Sequence, residues 1–242
     1  MKLRILMALS VITMFAATTA YAYTEQNVSG GGKISGKITL IGKAPAPRMI
    51  LMEKNPEVCG TGEREIREVT VDGSGGLQYG VVYIEKIAAG KKWDGKPRQL
   101  NQKGCKFVEW LQVMREKTEL EIVNRDPVLH NIHTYELIGR VRVTIFNEAQ
   151  PTQGYTFKKK IKMRRSPVMK IECDAHNFMH AYMLVLKNPY YAITAPDGSY
   201  TIDNIPPGKY KVTVWHSMLG KKTQEIEVKS GATTSLNHAY KS

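Results

Sequence analysis

Apolar positions in this chain recur mostly at every second residue, in short runs broken by turn residues. In Lys33–Gly42, Ile34, Ile38 and Leu40 fall on one side of an alternating pattern, as in a half-buried strand. Pro45 and Pro47 break that run, and Asn55-Pro56-Glu57-Val58-Cys59-Gly60 is turn chemistry. Ile66–Val71 and Gly80–Glu85, joined across Asp72-Gly73-Ser74-Gly75-Gly76, read as a hairpin. The polar stretch from Ala88 to Gln102, with its Gly, Lys and Pro, reads as a loop. Strands are expected from Cys105 toward Val113, over Glu119–Asn124, over Val141–Phe146 and over Tyr155–Met163. Asp126-Pro127 ends the second of these and delivers His130 in the loop that follows. In Val168–Cys173 the residues Met169, Ile171 and Cys173 share one face, so Cys173 points inward as its strand ends. Tyr182–Leu186 is the closing strand.

The texture changes after Pro189. A strand, an Asp197-Gly198 turn and a second strand run from Ala192 to Ile202. Pro206-Pro207-Gly208 opens another strand to Trp215, and Gln224–Val228 is the last. The pattern therefore predicts an all-β fold: a first β-sandwich over residues 34–187 and a second, smaller module over residues 188–242. Four short strands make a marginal domain alone, and strands from residues 33–86 are candidates to complete it.

Composition adds a compartment and a surface. Met1-Lys2-Leu3-Arg4, the apolar run Ile5 to Ala17 and the site Ala20-Tyr21-Ala22 read as an export signal over residues 1–22. The apolar run is shorter than the roughly 20 residues a bilayer span needs. The expected location is periplasmic or secreted. Setting aside Lys2 and Arg4 leaves 33 basic against 22 acidic residues, a charge of +11. Such a charge steers acidic partners and does not determine fold. The densest cluster is Lys158-Lys159-Lys160-Ile161-Lys162-Met163-Arg164-Arg165, either a solvated edge or a docking patch for an acidic redox protein or anionic lipid heads. Nucleic acid is not expected, because no binding motif accompanies the charge.

Three cysteines in an exported chain leave one without a mate. Cys59 and Cys105 can pair, stable outside the cytoplasm, and Cys173 then needs an explanation. Its neighbours supply one: Cys173-Asp174-Ala175-His176-Asn177-Phe178-Met179 places a thiolate, an imidazole and a thioether within seven residues. Two imidazoles and a Cys with a weak axial Met make a blue-copper site, and His130, in His130-Asn131-Ile132-His133, is the candidate second imidazole. Asn131 is expected to brace the loop by hydrogen bonds, and Phe178 to help form the apolar shell. A plain buried thiol at Cys173, or a disulfide from it to either other Cys, is the competing reading. His133, His180 and His216 are weaker candidates, and His238 reads as a surface residue. The dispersed methionines, among them Met52, Met114, Met163, Met169 and Met183, read as core filling.

Cys173-x2-His176-x2-Met179, preceded by His130-Asn131-Ile132-His133, resembles the cupredoxins, and the compact loop is most similar to that of the amicyanins. The resemblance implies a Greek-key sandwich in which His130, His176, Cys173 and axial Met179 bind copper. The wider arrangement resembles exported bacterial plastocyanin-like proteins, some known as methylamine utilization proteins, that carry a carboxypeptidase-regulatory-like (transthyretin-like) module. Asp197-Gly198-Ser199-Tyr200 and Pro206-Pro207-Gly208-Lys209-Tyr210 resemble that module's signature. Where this group often has Pro-His after the second Cys, the chain has Val108-Glu109-Trp110. The implied function is one-electron transfer with a protein such as a cytochrome or dehydrogenase. A copper carrier or sensor, or a non-redox interaction module, are the alternatives. No nucleophile elbow, His-Glu-x-x-His helix, Walker loop or Cys-x-x-Cys-His haem motif points to an enzyme.

Overall fold

The computed structural model describes residues 22–242; the expected export signal lies outside them. The chain is almost entirely β, and the one helix among the described residues is the four-residue turn Pro56–Cys59. No helix there is long and apolar enough to cross a membrane.

Four sheets stack as layers, and the pleat explains how. The outermost sheet has three strands in the order Thr156–Lys160, Glu119–Asn124, Arg98–Gln102. Next comes a five-stranded sheet ordered Val141–Gln150, His130–Ile138, Val168–Cys173, His180–Leu186, Leu111–Arg115. The third sheet is Tyr191–Ile193, Val81–Ile84, Gly208–His216, Gly220–Val228. In the fourth, Gly32–Ile41 pairs with Ser199–Ile205, Thr233–Ser235 and His238–Lys241.

Strand His180–Leu186 shows the layering best. Ala181, Met183 and Val185 enter the first core with Leu100, Leu120, Ile122, Ile132 and Ile171. Tyr182, Leu184 and Leu186 face the other way, onto Val81, Tyr83 and Trp215 of the third sheet. Successive side chains alternate faces, so a strand buried on both reads as a continuous apolar run. Val82 and Ile84 turn from the same interface into the core of the second sandwich, with Ile34, Ile38, Tyr200, Val212 and Val214. At the Asp197-Gly198 turn, a Cβ on Gly198 (φ 80°) would lie 2.2 Å from the Ile38 carbonyl oxygen, so glycine is required there.

Several strands depart from the alternating pattern. Gly32–Ile41 and Val81–Ile84 fall within the 34–187 span of the expected first sandwich, but they pair with the C-terminal strands, as the alternative reading of residues 33–86 allowed. The expected 66–85 hairpin reduces to one bridge, Val71 to Leu77, because Glu63–Ile66 pairs back onto Arg48–Leu51. The polar stretch before Gln102 holds a strand, Arg98–Gln102, whose Leu100 is fully buried. Cys105 sits in a turn at φ 52°, and the strand expected from it begins at Leu111. His130 opens a strand and is not in a loop.

Candidate metal centre

The site lies at one end of the five-stranded sheet, where two neighbouring strands bring distant residues together. Ile132 pairs with Cys173 in register, which places His130, two residues earlier, beside the loop that follows Cys173. That loop folds back on itself through three backbone bonds. His176 N–H donates to Cys173 O at 3.2 Å, Met179 N–H to His176 O at 3.0 Å, and Cys173 N–H to Met179 O at 3.2 Å.

Three Lewis-basic atoms converge there. His130 Nδ1 and His176 Nδ1 are 3.2 Å apart, and Cys173 Sγ lies 3.8 and 3.6 Å from them. All three residues are buried. The circle through these atoms has a radius of about 2.1 Å, close to a metal–imidazole bond length.

The other ring nitrogens fix the tautomers. His130 Nε2 is 2.9 Å from Asp126 Oδ2, a carboxylate that also accepts N–H bonds from Gly104 and Cys105 at 2.7 and 2.8 Å. His176 Nε2 is 3.0 Å from Asn55 Oδ1. A carboxylate and an amide oxygen only accept, so each Nε2 donates and each Nδ1 presents a lone pair to the common centre. Met179 is buried beside them in the same core as Cys173 and Phe178. Two imidazole nitrogens, a thiolate and a thioether suit a copper ion, and the residues present fit that group.

The electrostatics follow from burial. Desolvation, then repulsion from His130, holds His176 at about 4. Burial also lowers His130, against the opposing pull of Asp126. Burial pushes the Cys173 thiol up, opposed by the N–H of Asn131 at 3.5 Å from its sulfur. Burial would raise Asp126 too, but the Cys105 N–H and His130 outweigh it and hold the carboxyl below its ordinary range.

The remaining predicted residues fall into place one by one. Asn131 acts through its backbone, and its side-chain Oδ1 has no partner, unlike the bracing amide expected from sequence. The Phe178 ring centroid lies 5.5 Å from that of His176. Cys59 and Cys105 form a disulfide with an S–S distance of 1.99 Å. Cys173 is free and buried. His133 lies outside the site, held by Asp174, Tyr135 and Thr144. His180 meets Glu68 at 3.1 Å and Trp110, not the centre. His216 Nδ1 accepts from Met218 N–H in a turn, and burial lowers its pKa to about 4. His238 packs edge-on against Tyr240.

Asp126, Asn55 and Arg64 are the residues that sequence reasoning missed. Arg64 donates to the Cys59 and Cys105 carbonyls and lies 4.7 Å from the centroid of Phe178. Asp126 stands four residues before His130, a spacing that offered a faint signal; Asn55, 121 residues from His176, offered none.

Comparison with known proteins gives partial matches. The family described as Polysaccharide lyase family 4, domain II, matches residues 174–236. That span starts one residue after Cys173. No curated protein matches the chain. Among solved structures, a novel purple cupredoxin from Nitrosopumilus maritimus is similar at 19% identity and TM-score 0.31, over 36% of this chain and 98% of that one. Amicyanin from Paracoccus versutus (Thiobacillus versutus) is similar at 16% identity and TM-score 0.32, over 43% of this chain and 96% of that one.

Proposed function

We propose that this chain is an exported, cupredoxin-like electron carrier that holds one type 1 copper ion through His130, His176, Cys173 and Met179. One observation carries the reading: two imidazole lone pairs and a buried sulfur meet on a circle of about 2.1 Å radius, with both tautomers fixed from behind. When bound, copper supplies a one-electron couple.

The chain's own residues do the rest. Asp126 and Asn55 keep the imidazoles oriented. The Asn131 N–H points at the Cys173 sulfur, where it tempers the thiolate. Phe178, Ile132, Ile171 and Ala181 exclude water from the pocket. A rigid shell of this kind keeps the ligands in place in both oxidation states, which speeds a carrier and does nothing for a donor that must release its metal. The disulfide supports a periplasmic or secreted location. The partner is read as an acidic redox protein. Lys158, Lys159 and Lys160 are exposed on an edge strand, and neither they nor Lys162, Arg164 and Arg165 enter an ion pair among the described residues. No enzymatic activity is proposed.

The test is addition of Cu(II) to residues 23–242, followed by visible and EPR spectra. The expected result is an intense blue thiolate-to-copper band that Cys173→Ala abolishes. Copper binding that is weak, or indifferent to Cys173, would exclude the electron carrier and leave a carrier of metal or an interaction module.

A further inference from the structure

Residues 48–68 belong to neither sandwich. Arg48–Leu51 and Glu63–Ile66 pair only with each other, and the turn Pro56–Cys59 lies between them. A two-stranded hairpin is marginal by itself. This one is held down by side chains, and its contacts gather around the ligand loop. Asn55 Oδ1 caps His176 Nε2 at 3.0 Å. Cys59 is bonded to Cys105, and both sulfurs lie within 4.8 Å of a His176 ring nitrogen. Arg64 covers the Phe178 ring, and Glu68 meets His180, the residue after Met179. Ile50, Met52 and Val58 pack partly buried against the first core.

We infer that this hairpin is a cover over the ligand loop, latched by the Cys59–Cys105 disulfide and seated by Asn55, and that it controls access to His176 and Cys173. The argument is one of placement. His176 stands in a loop at the sandwich end, its Nδ1 turned inward and its Nε2 turned to the hairpin. The residue is nevertheless only 1% exposed, and Cys173 only 3%. Asn55 takes up its position in the left-handed region, φ 50° and ψ 54°, a conformation that Asn adopts more readily than most residues. The edge of His176 is therefore no open contact surface in the latched chain, and metal enters or leaves only as the cover lifts.

The cover concerns the site just proposed for copper, but its test is made on the metal-free chain. The rate at which N-ethylmaleimide modifies Cys173 is followed by peptide mass mapping, in the wild type and in the Cys59→Ala/Cys105→Ala variant. Circular dichroism and a urea midpoint verify that each is folded. Local opening controls such rates, and the unlatched chain is expected to react roughly tenfold faster or more. Equal rates in two folded proteins would overturn the cover. If the unlatched variant does not fold, Asn55→Ala/Arg64→Ala, with the disulfide kept, carries the test: faster modification supports the cover and an unchanged rate overturns it. Copper spectra of the same proteins separate the two readings. Faster Cys173 modification without a blue band keeps the cover and removes the copper site; a blue band with equal rates does the reverse.

Discussion

At the scale of single residues, Asp126 holds most of the site's order. Its carboxylate is 4% exposed and takes three donors, two from the backbone turn at Gly104 and Cys105 and one from His130. Replacing it with Ala leaves two buried donors, the Cys105 N–H and His130 Nε2, unpaired, while the Gly104 N–H sits in an exposed residue and can turn to water. Asp126→Ala should lower the stability of the metal-free chain by about 1–3 kcal/mol, read from urea unfolding. It should also weaken copper binding roughly 10–100-fold, read by chelator competition. An unchanged copper affinity would show that Asp126 does not orient His130. The candidate ligands could be proposed from the sequence because Cys173, His176 and Met179 are neighbours along the chain, and His130 follows a strong strand. Asp126 and Asn55 were not: their partners are made by the fold, and an Asp before a Pro or an Asn before a Pro reads as a turn residue wherever it occurs.

At the scale of elements, the loop Ile161–Pro167 is tied to the five-stranded sheet by one side chain. Glu136, on strand His130–Ile138 and 2% exposed, accepts N–H bonds from Arg164 at 3.1 Å, Arg165 at 2.5 Å and Ser166 at 2.7 Å. Burial alone would raise this carboxyl; the three N–H donors outweigh burial and lower it. A carboxyl lowered in the native state stabilises the fold above its unfolded pKa, about 4.3, and that share is lost as pH falls through the native value. Glu136→Gln should thus be less stable than wild type in urea at neutral pH, and the gap should narrow below pH about 4. A gap constant with pH would show that the charge is not what ties the loop. Strands such as Tyr182–Leu186 could be read from sequence because both faces are apolar. Arg98–Gln102 could not, since Leu100 and Gln102 alone turn inward and polar neighbours mask them.

At the scale of the whole molecule, the second sandwich is built from both ends of the chain. Its two sheets are centred on Gly32–Ile41 and on Val81–Ile84 with Gly208–His216. Residues 188–242 expressed alone would lack the partners of Ser199–Ile205 and of Thr233–Ser235. That fragment should show a disordered circular dichroism spectrum and poor amide dispersion by NMR. A well-dispersed spectrum would refute the shared architecture. The turn signals of this half were plain in the sequence, and strands from residues 33–86 were candidates to complete it, but the pattern did not choose between the two sandwiches, because any alternating strand fits any sheet until pairing selects one.

The pairing of Ile38 with His238 has a consequence for how the protein is made. Synthesis runs at about 5–20 residues per second, so Gly32–Ile41 leaves the ribosome roughly 10–40 s before the last of its partners exists. For that time ten residues of strand, with Ile34, Ile38 and Leu40 on one face, carry unmet backbone donors and acceptors. That strand completes its pairing only when His238–Lys241 arrives, and loss of those residues would leave it without its last mate.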